Sequence, residues 1–247
     1  NPYAPETIDP QVVKIAQNAA HYAVQKPDEV TDLVDFKQPE ISDTDLKAPI
    51  YIDFGPTSLS ATPWNNITSH QESSTTSWIK DVENNYTNIG VRVLDGFTAT
   101  HAGVGSEPAS PVTVDGVEFP LTAWKDGLLV KGEKNQGDVG PGRIEISQLD
   151  VARKYNFTIL AIRFNGSKDA RISSYKLVGK TESAVKEVKT GIKDAASFAA
   201  ANFEEYIAKF ENVEPDSEGK VIVEVKGLDT GSAAEGHINA LCISLAK

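Results

Sequence analysis

The stretch "PIYIDFGPTSLSATPWNNITSH", residues 49–70, gathers side chains that could do chemistry. Asp53-Phe54-Gly55 spells the triplet that holds magnesium in protein kinases, and Ser58 follows as a hydroxyl nucleophile. A kinase also needs a Gly-rich phosphate loop, a strand lysine and a catalytic loop with Asp and Asn. None is present. Asp53 alternates with Ile52 and Phe54, so it reads as a strand-end residue accepting hydrogen bonds from loop backbone. Gly55 lets the chain leave that strand. Ser58 lacks the G-x-S-x-G setting of a nucleophile elbow. The histidines His21, His70, His101 and His237 form no H-E-x-x-H and no metal-ligand spacing. Nothing in the spacing favours a Ser–His–Asp triad. Glu204 and Glu205 are adjacent on an expected strand, so they point to opposite faces and cannot flank one glycosidic bond.

The aromatics are the stronger candidates. Sugars present apolar C–H faces that stack on rings, while amides and charged groups grip hydroxyls. Trp64 sits beside Asn65, Asn66 and His70; Trp124 precedes Lys125 and Asp126 in "PLTAWKDGLLV"; Tyr86 and His101 lie in other loops. These nine residues form the expected ligand-binding set. Trp124 is the ring best placed for exposure. Trp64 has a competing reading, in which it folds over the sandwich end and the two asparagines shape the turn. Trp78, in "STTSWIKDVENNY", is expected in the core. The Gly-rich loops 100–110 and 131–143 could carry recognition or simply connect strands. "GDVGPGR" lacks the Lys-Thr and helix of a phosphate-binding loop. Acidic turns such as Asp216–Glu218 could hold a structural calcium, although no EF-hand spacing is present; no other cofactor is implied.

The elements that must position these residues are mostly strands. The 247 residues, 40% hydrophobic and 24% charged, suffice for one large domain with an extension. A net charge of −11 argues against nucleic acid and an anionic membrane surface, and suits a neutral ligand. One cysteine, Cys242, excludes an intrachain disulfide and a cysteine metal cluster. No apolar run is long enough to span a membrane. Asp9 and Pro10 read as the start of a helix whose Val13, Ala16, Ala20 and Val24 share a face, ended by Pro27. An acidic linker follows to residue 48. From Ile50 the period changes to two. Strands are expected near 50–54, 91–93, 154–164, 170–180, 204–213, 220–227 and 237–245, with turn chemistry between the last three. Residues 49–247 therefore read as an antiparallel all-β sandwich, and residues 1–48 as an N-terminal helical extension that gives no strand to it.

The Asp-Phe-Gly strand end, the Trp-Asn-Asn loop and the closing "FENVEPDSEGKVIVEV…GHINALCISL" resemble the galactose-binding-domain-like jelly-roll sandwiches of bacterial extracellular proteins. That resemblance implies a secreted, periplasmic or cell-surface protein whose signal segment is removed. It implies non-catalytic carbohydrate binding, with glycan as partner. A structural or adhesion module binding a protein partner is the alternative, and a glycoside hydrolase is less favoured.

Overall fold

Period-two burial organises the chain. In "IYIDF", Ile50, Ile52 and Phe54 are fully buried on one face, while Tyr51 and Asp53 face the other way. The computed structural model describes residues 46–131, 141–164, 171–228 and 235–247. The expected N-terminal helix and most of the Gly-rich loop 131–143 lie outside the described residues.

In chain order the elements are β1 (Ile50–Phe54), β2 (Trp64–Ile67), β3 (Thr75–Thr76), β4 (Gly90–Asp95) and β5 (Ala99–His101). The hairpin β6 (Val112–Val114) and β7 (Val117–Phe119) leads into helix α1 (Leu121–Lys125) and β8 (Gly127–Lys131). Next come β9 (Gly142–Ser147), β10 (Tyr155–Leu160), β11 (Arg163–Phe164), β12 (Ile172–Val178), β13 (Lys186–Lys189) and β14 (Gly191–Ile192). Helix α2 (Ala195–Ala199) and a 3₁₀ turn (Phe203–Tyr206) precede β15 (Ile207–Val213), β16 (Val221–Gly227), β17 (Glu235–Ile238) and β18 (Ala240–Leu245).

Two sheets form the sandwich. One has the order β15-β10-β18-β1-β2, the other β13-β12-β16-β9-β4-β3. Successive long strands switch sheets: β9 lies in the second, β10 in the first, β12 in the second, β15 in the first, β16 in the second and β18 in the first. Pairing is antiparallel except for β1 with β2 and β11 with β14. The all-β sandwich is therefore observed, with two parallel contacts that the antiparallel reading did not anticipate. Between the sheets lies one apolar core that includes Phe54, Val93, Ile144, Phe157, Tyr175, Val223 and Leu241. Each such side chain contributes about 1.5–3 kcal/mol on full burial.

A second apolar cluster covers the outer face of the five-stranded sheet. Leu160, Ala240 and Cys242 on that face meet Val112 and Phe119 of the hairpin, Trp124 of α1 and Phe198 of α2. This added layer explains several departures from the expected strands. The apolar run 154–164 breaks into β10 and β11, and 237–245 breaks at Asn239. Glu204 and Glu205 fall in the 3₁₀ turn, where they pair with Lys209 and Lys189. Leu46 and Ala48, assigned to the linker by sequence, are buried, and Leu46 packs in the main core, so the packing of the sandwich begins before Pro49.

Candidate functional site

The Trp-Asn-Asn segment is built into the scaffold. Asn66 accepts from the Ser60 backbone N–H at 2.8 Å and donates to the Ser60 carbonyl at 2.9 Å. Asp53 accepts from the same N–H at 3.0 Å. Together they staple the loop after β1. Asn65 donates to the carbonyls of Tyr51 and Lys80 and accepts from the Lys80 N–H. With their amides committed to backbone, Asn65 and Asn66 do not form the expected sugar-gripping pair. Trp64 is half-buried, its ring 5.0 Å from Tyr51 and 5.7 Å from Phe119. The reading in which it folds back over the sandwich is the observed one. His70 lies in the following loop, within 2.9 Å of the Gln71 side chain.

Trp124 corrects the expectation of an exposed ring. It is 1% exposed and stacks on Phe198 at 5.0 Å. Pro120 at the start of a helix and the Leu121/Trp124 spacing of three were the signals that turn it inward. Asp126 is fully buried and accepts from the backbone of Thr57 at 2.6 Å and Ser58 at 3.1 Å. Its carboxyl fills the space above Gly55, where a Cβ would come within 2.5 Å of it. Gly55 also has φ +142, so glycine is required twice over. Lys125, half-buried, runs along Gly103.

Asn239, which sequence reasoning passed over, ties this region together. Its Nδ2 donates to the carbonyls of Trp124 at 2.9 Å and Asp126 at 2.6 Å, and its Oδ1 accepts from the Ile162 N–H at 2.8 Å. A buried amide between two apolar strands was the available signal. Beside it lies His101, buried rather than loop-exposed. Arg163 Nη1 donates to His101 Nδ1 at 3.1 Å and to the Ala102 carbonyl at 2.8 Å. His237 meets His101 edge to face at 5.0 Å. Burial, with the neighbouring cations, holds His101 well below the usual histidine range, and burial lowers His237 to about 4, so both rings are neutral at pH 7. Arg171, 3.1 Å away, pairs with Glu235 and holds it ionised. The structure thus brings His101, Trp124, Lys125 and Asp126 to one end of the sandwich. Tyr86 and His70 are not linked to that end by hydrogen bonds or ring contacts among the described residues, whereas Trp64 packs against the apolar cluster that contains Trp124.

Tyr86 belongs to a different feature. Residues 78–89 form a narrow ribbon: Lys80 bridges Tyr86, the Thr87 N–H donates to the Ile79 carbonyl and the Ile79 N–H to that of Ile89. Its turn is fixed by buried Asp81, which accepts from the N–H groups of Glu83 at 3.0 Å and Asn85 at 2.9 Å. Tyr86 is 49% exposed, and Lys80 Nζ lies 4.6 Å from its ring centre while bonding Asn84. Trp78, expected in the core, is 39% exposed with φ +54. Alternation was the missed signal: Ile79 is buried, so its neighbours turn outward. Positive φ costs a bulky residue about 1–2 kcal/mol. An exposed indole held in that conformation is therefore a costly arrangement.

The acidic turn considered for calcium is satisfied internally. Asp216 accepts from the N–H groups of Glu218 and Lys220, and Lys220 pairs with Glu218. Among the described residues, no three His, Cys, Asp or Glu side chains converge as a metal site, and no helix is long and apolar enough to cross a membrane.

No family model and no curated protein matches the chain. Similar solved structures include a chain in the crystal structure of the plant peptide RALF23 in complex with FER and LLG2. It has 10% identity and a TM-score of 0.48, over 79% of this chain and 48% of that one. Another is TmCBM61 in complex with β-1,4-galactotriose, at 12% identity and a TM-score of 0.33, over 63% of this chain and 88% of that one. The ANX2 ectodomain from Arabidopsis thaliana aligns at 8% identity and a TM-score of 0.41, over 72% of this chain and 55% of that one. The chain spans about half the length of the first of these.

Proposed function

We propose that this protein is a non-catalytic glycan-binding module of the galactose-binding-like type, acting outside the cell, and that the sugar docks on the Trp78–Tyr86 ribbon. The observation carrying the reading is the exposure of both rings on a ribbon pinned by Asp81 and by the Asn65 clasp on Lys80. Rigid aromatics lose little entropy on binding and stack on the C–H faces of a pyranose. Lys80 lies over one face of the Tyr86 ring, and the ring stays half exposed. Asn84 and Asn88 on the same ribbon supply amides for hydroxyls.

A glycan array followed by calorimetry tests this. Trp78→Ala and Tyr86→Ala should each weaken binding about tenfold or more with unchanged melting temperature. Trp124→Ala should destabilise the fold by about 3–5 kcal/mol, as buried Trp truncations do, without a specific effect on affinity. Failure of the intact protein to bind any neutral glycan would sink the reading. Capture of a protein through the same two rings would favour the adhesion alternative.

A further inference from the structure

The end of the sandwich that holds His101 carries more buried donors than the described residues satisfy. β11 carries Arg163, and its N–H donates to the Thr190 carbonyl at 2.6 Å; the Thr190 N–H donates to the Arg171 carbonyl at 2.9 Å. Thr190 thus lies between the two arginines, roughly 5 Å of strand spacing from each. Arg171 is 6% exposed, yet among the described residues only its Nη2 is paired, to Glu235, and its Nε and Nη1 have no partner there. Arg163 Nε, Thr190 Oγ1 and both ring nitrogens of His237 are likewise buried and unpartnered. His237 Nε2 stands 3.6 Å from Glu235, beyond hydrogen-bond reach. Glu235 and His237 share one face of β17, turned toward Arg171.

Among the described residues, both guanidiniums face the ionised carboxylate of Glu235. The other acid near Arg163, Glu107, is occupied with the backbone N–H groups of Val104 and Gly105. Burying charged N–H groups without acceptors is strongly unfavourable, and a bound acceptor with negative charge removes the penalty. Arg163 and Glu235 are partly exposed.

We propose that this cluster is a binding site for a carboxylate-bearing small molecule, the carboxylate seated against Arg171 and Arg163 with Thr190 and His237 donating to it or to a neighbouring hydroxyl. Arginine suits this because its charge-assisted bonds to carboxylates are short and strong. The site is separate from the aromatic ribbon and stands without it.

Calorimetry and thermal shift with sodium D-galacturonate, sodium acetate and neutral D-galactose test the assignment. Galacturonate should bind and raise the melting temperature, and galactose should not bind this cluster. Acetate raising the melting temperature as well makes the carboxylate alone sufficient; galacturonate acting without acetate makes the ligand a sugar acid. Arg163→Gln, at a partly exposed position, should weaken binding at least about tenfold. The paired variant Arg171→Met with Glu235→Gln removes the buried guanidinium together with its counter-ion, so it should keep its melting temperature and lose the ligand response. Absence of any carboxylate effect on the intact protein, or an equal effect in both variants, overturns the site. Loss of galacturonate binding in Trp78→Ala as complete as in Arg163→Gln places the carboxylate at the ribbon and overturns it too.

Discussion

Asp53 and the buried histidines set opposing pH dependences. Burial, reinforced by the charge of Asp126, pushes the Asp53 carboxyl up to about 7, although the Ser60 hydrogen bond works against the shift. The folded chain then binds this proton more tightly than the unfolded one. Its contribution to stability is greatest below about pH 4 and is lost as pH rises through 7. His101 and His237 act in the other sense, because their folded values are lowered. Unfolding lets them take up protons, so stability is lost as pH falls below about 6.5. The two effects overlap between pH 4 and 6.5 and partly cancel. Asp53→Asn keeps an acceptor for Ser60 and removes one side of the balance. Its melting temperature should rise with pH across that window, and should exceed that of the parent protein at pH 8. A variant curve parallel to the parent curve would show that Asp53 does not titrate in this range.

At the scale of elements, the ribbon 78–89 depends on two polar anchors. Asn65 clasps Lys80 from β2, and Asp81 closes the turn. Asn65→Ala leaves the Tyr51 and Lys80 carbonyls and the Lys80 N–H without their partner. A loss of about 1–3 kcal/mol follows from unsatisfied groups of this kind. Because the clasp positions the ribbon without touching a ligand, the same variant should weaken glycan binding while neutral glycans still bind measurably. Chemical denaturation together with amide exchange of Lys80 and Tyr86 checks this. Unchanged exchange at Lys80 would mean that the ribbon holds its shape without Asn65. The outer face of the six-stranded sheet shows the contrast. There Arg143 pairs with Glu224 and Asp95, and Lys176 with Glu224 and Glu182, all with some exposure. Such pairs contribute about 0–1 kcal/mol each and mainly keep that face soluble.

For the whole molecule, the sandwich is sealed by residues from beyond its strands. Leu46 enters the main core from the segment preceding β1. Leu46→Ala should cost about 2–5 kcal/mol, as buried leucine truncations do, and denaturant melts would read this directly. A cost below about 1 kcal/mol would restore the boundary at Pro49. The hairpin, α1 and α2 cover the second face and make the five-stranded sheet a middle layer. That layering is why Cys242 is buried and its thiol pushed up by burial, leaving it a packing residue rather than a reactive one.

What the amino-acid order determined by itself is local. Alternation of Ile50, Ile52 and Phe54, and of Val221, Val223 and Val225, specifies which face is apolar, and enough such strands leave a sandwich as the solution. The turn around Asp216 was equally legible, because its hydrogen bonds span only two to four residues. Which tryptophan meets solvent was not, because exposure depends on what packs above. Trp124 is covered by Phe198, and Asn239 reaches Asp126 across 113 positions of sequence. The cluster of Arg163, Arg171, Thr190 and His237 has the same origin. Four segments of the chain bring these residues together, Arg163, Thr190 and Arg171 through backbone hydrogen bonds and His237 through its N–H to the Ser173 hydroxyl, and no spacing along the chain encodes that neighbourhood. Secondary structure follows from short-range sterics and patterning, whereas a site is a coincidence of distant side chains that only the folded topology creates.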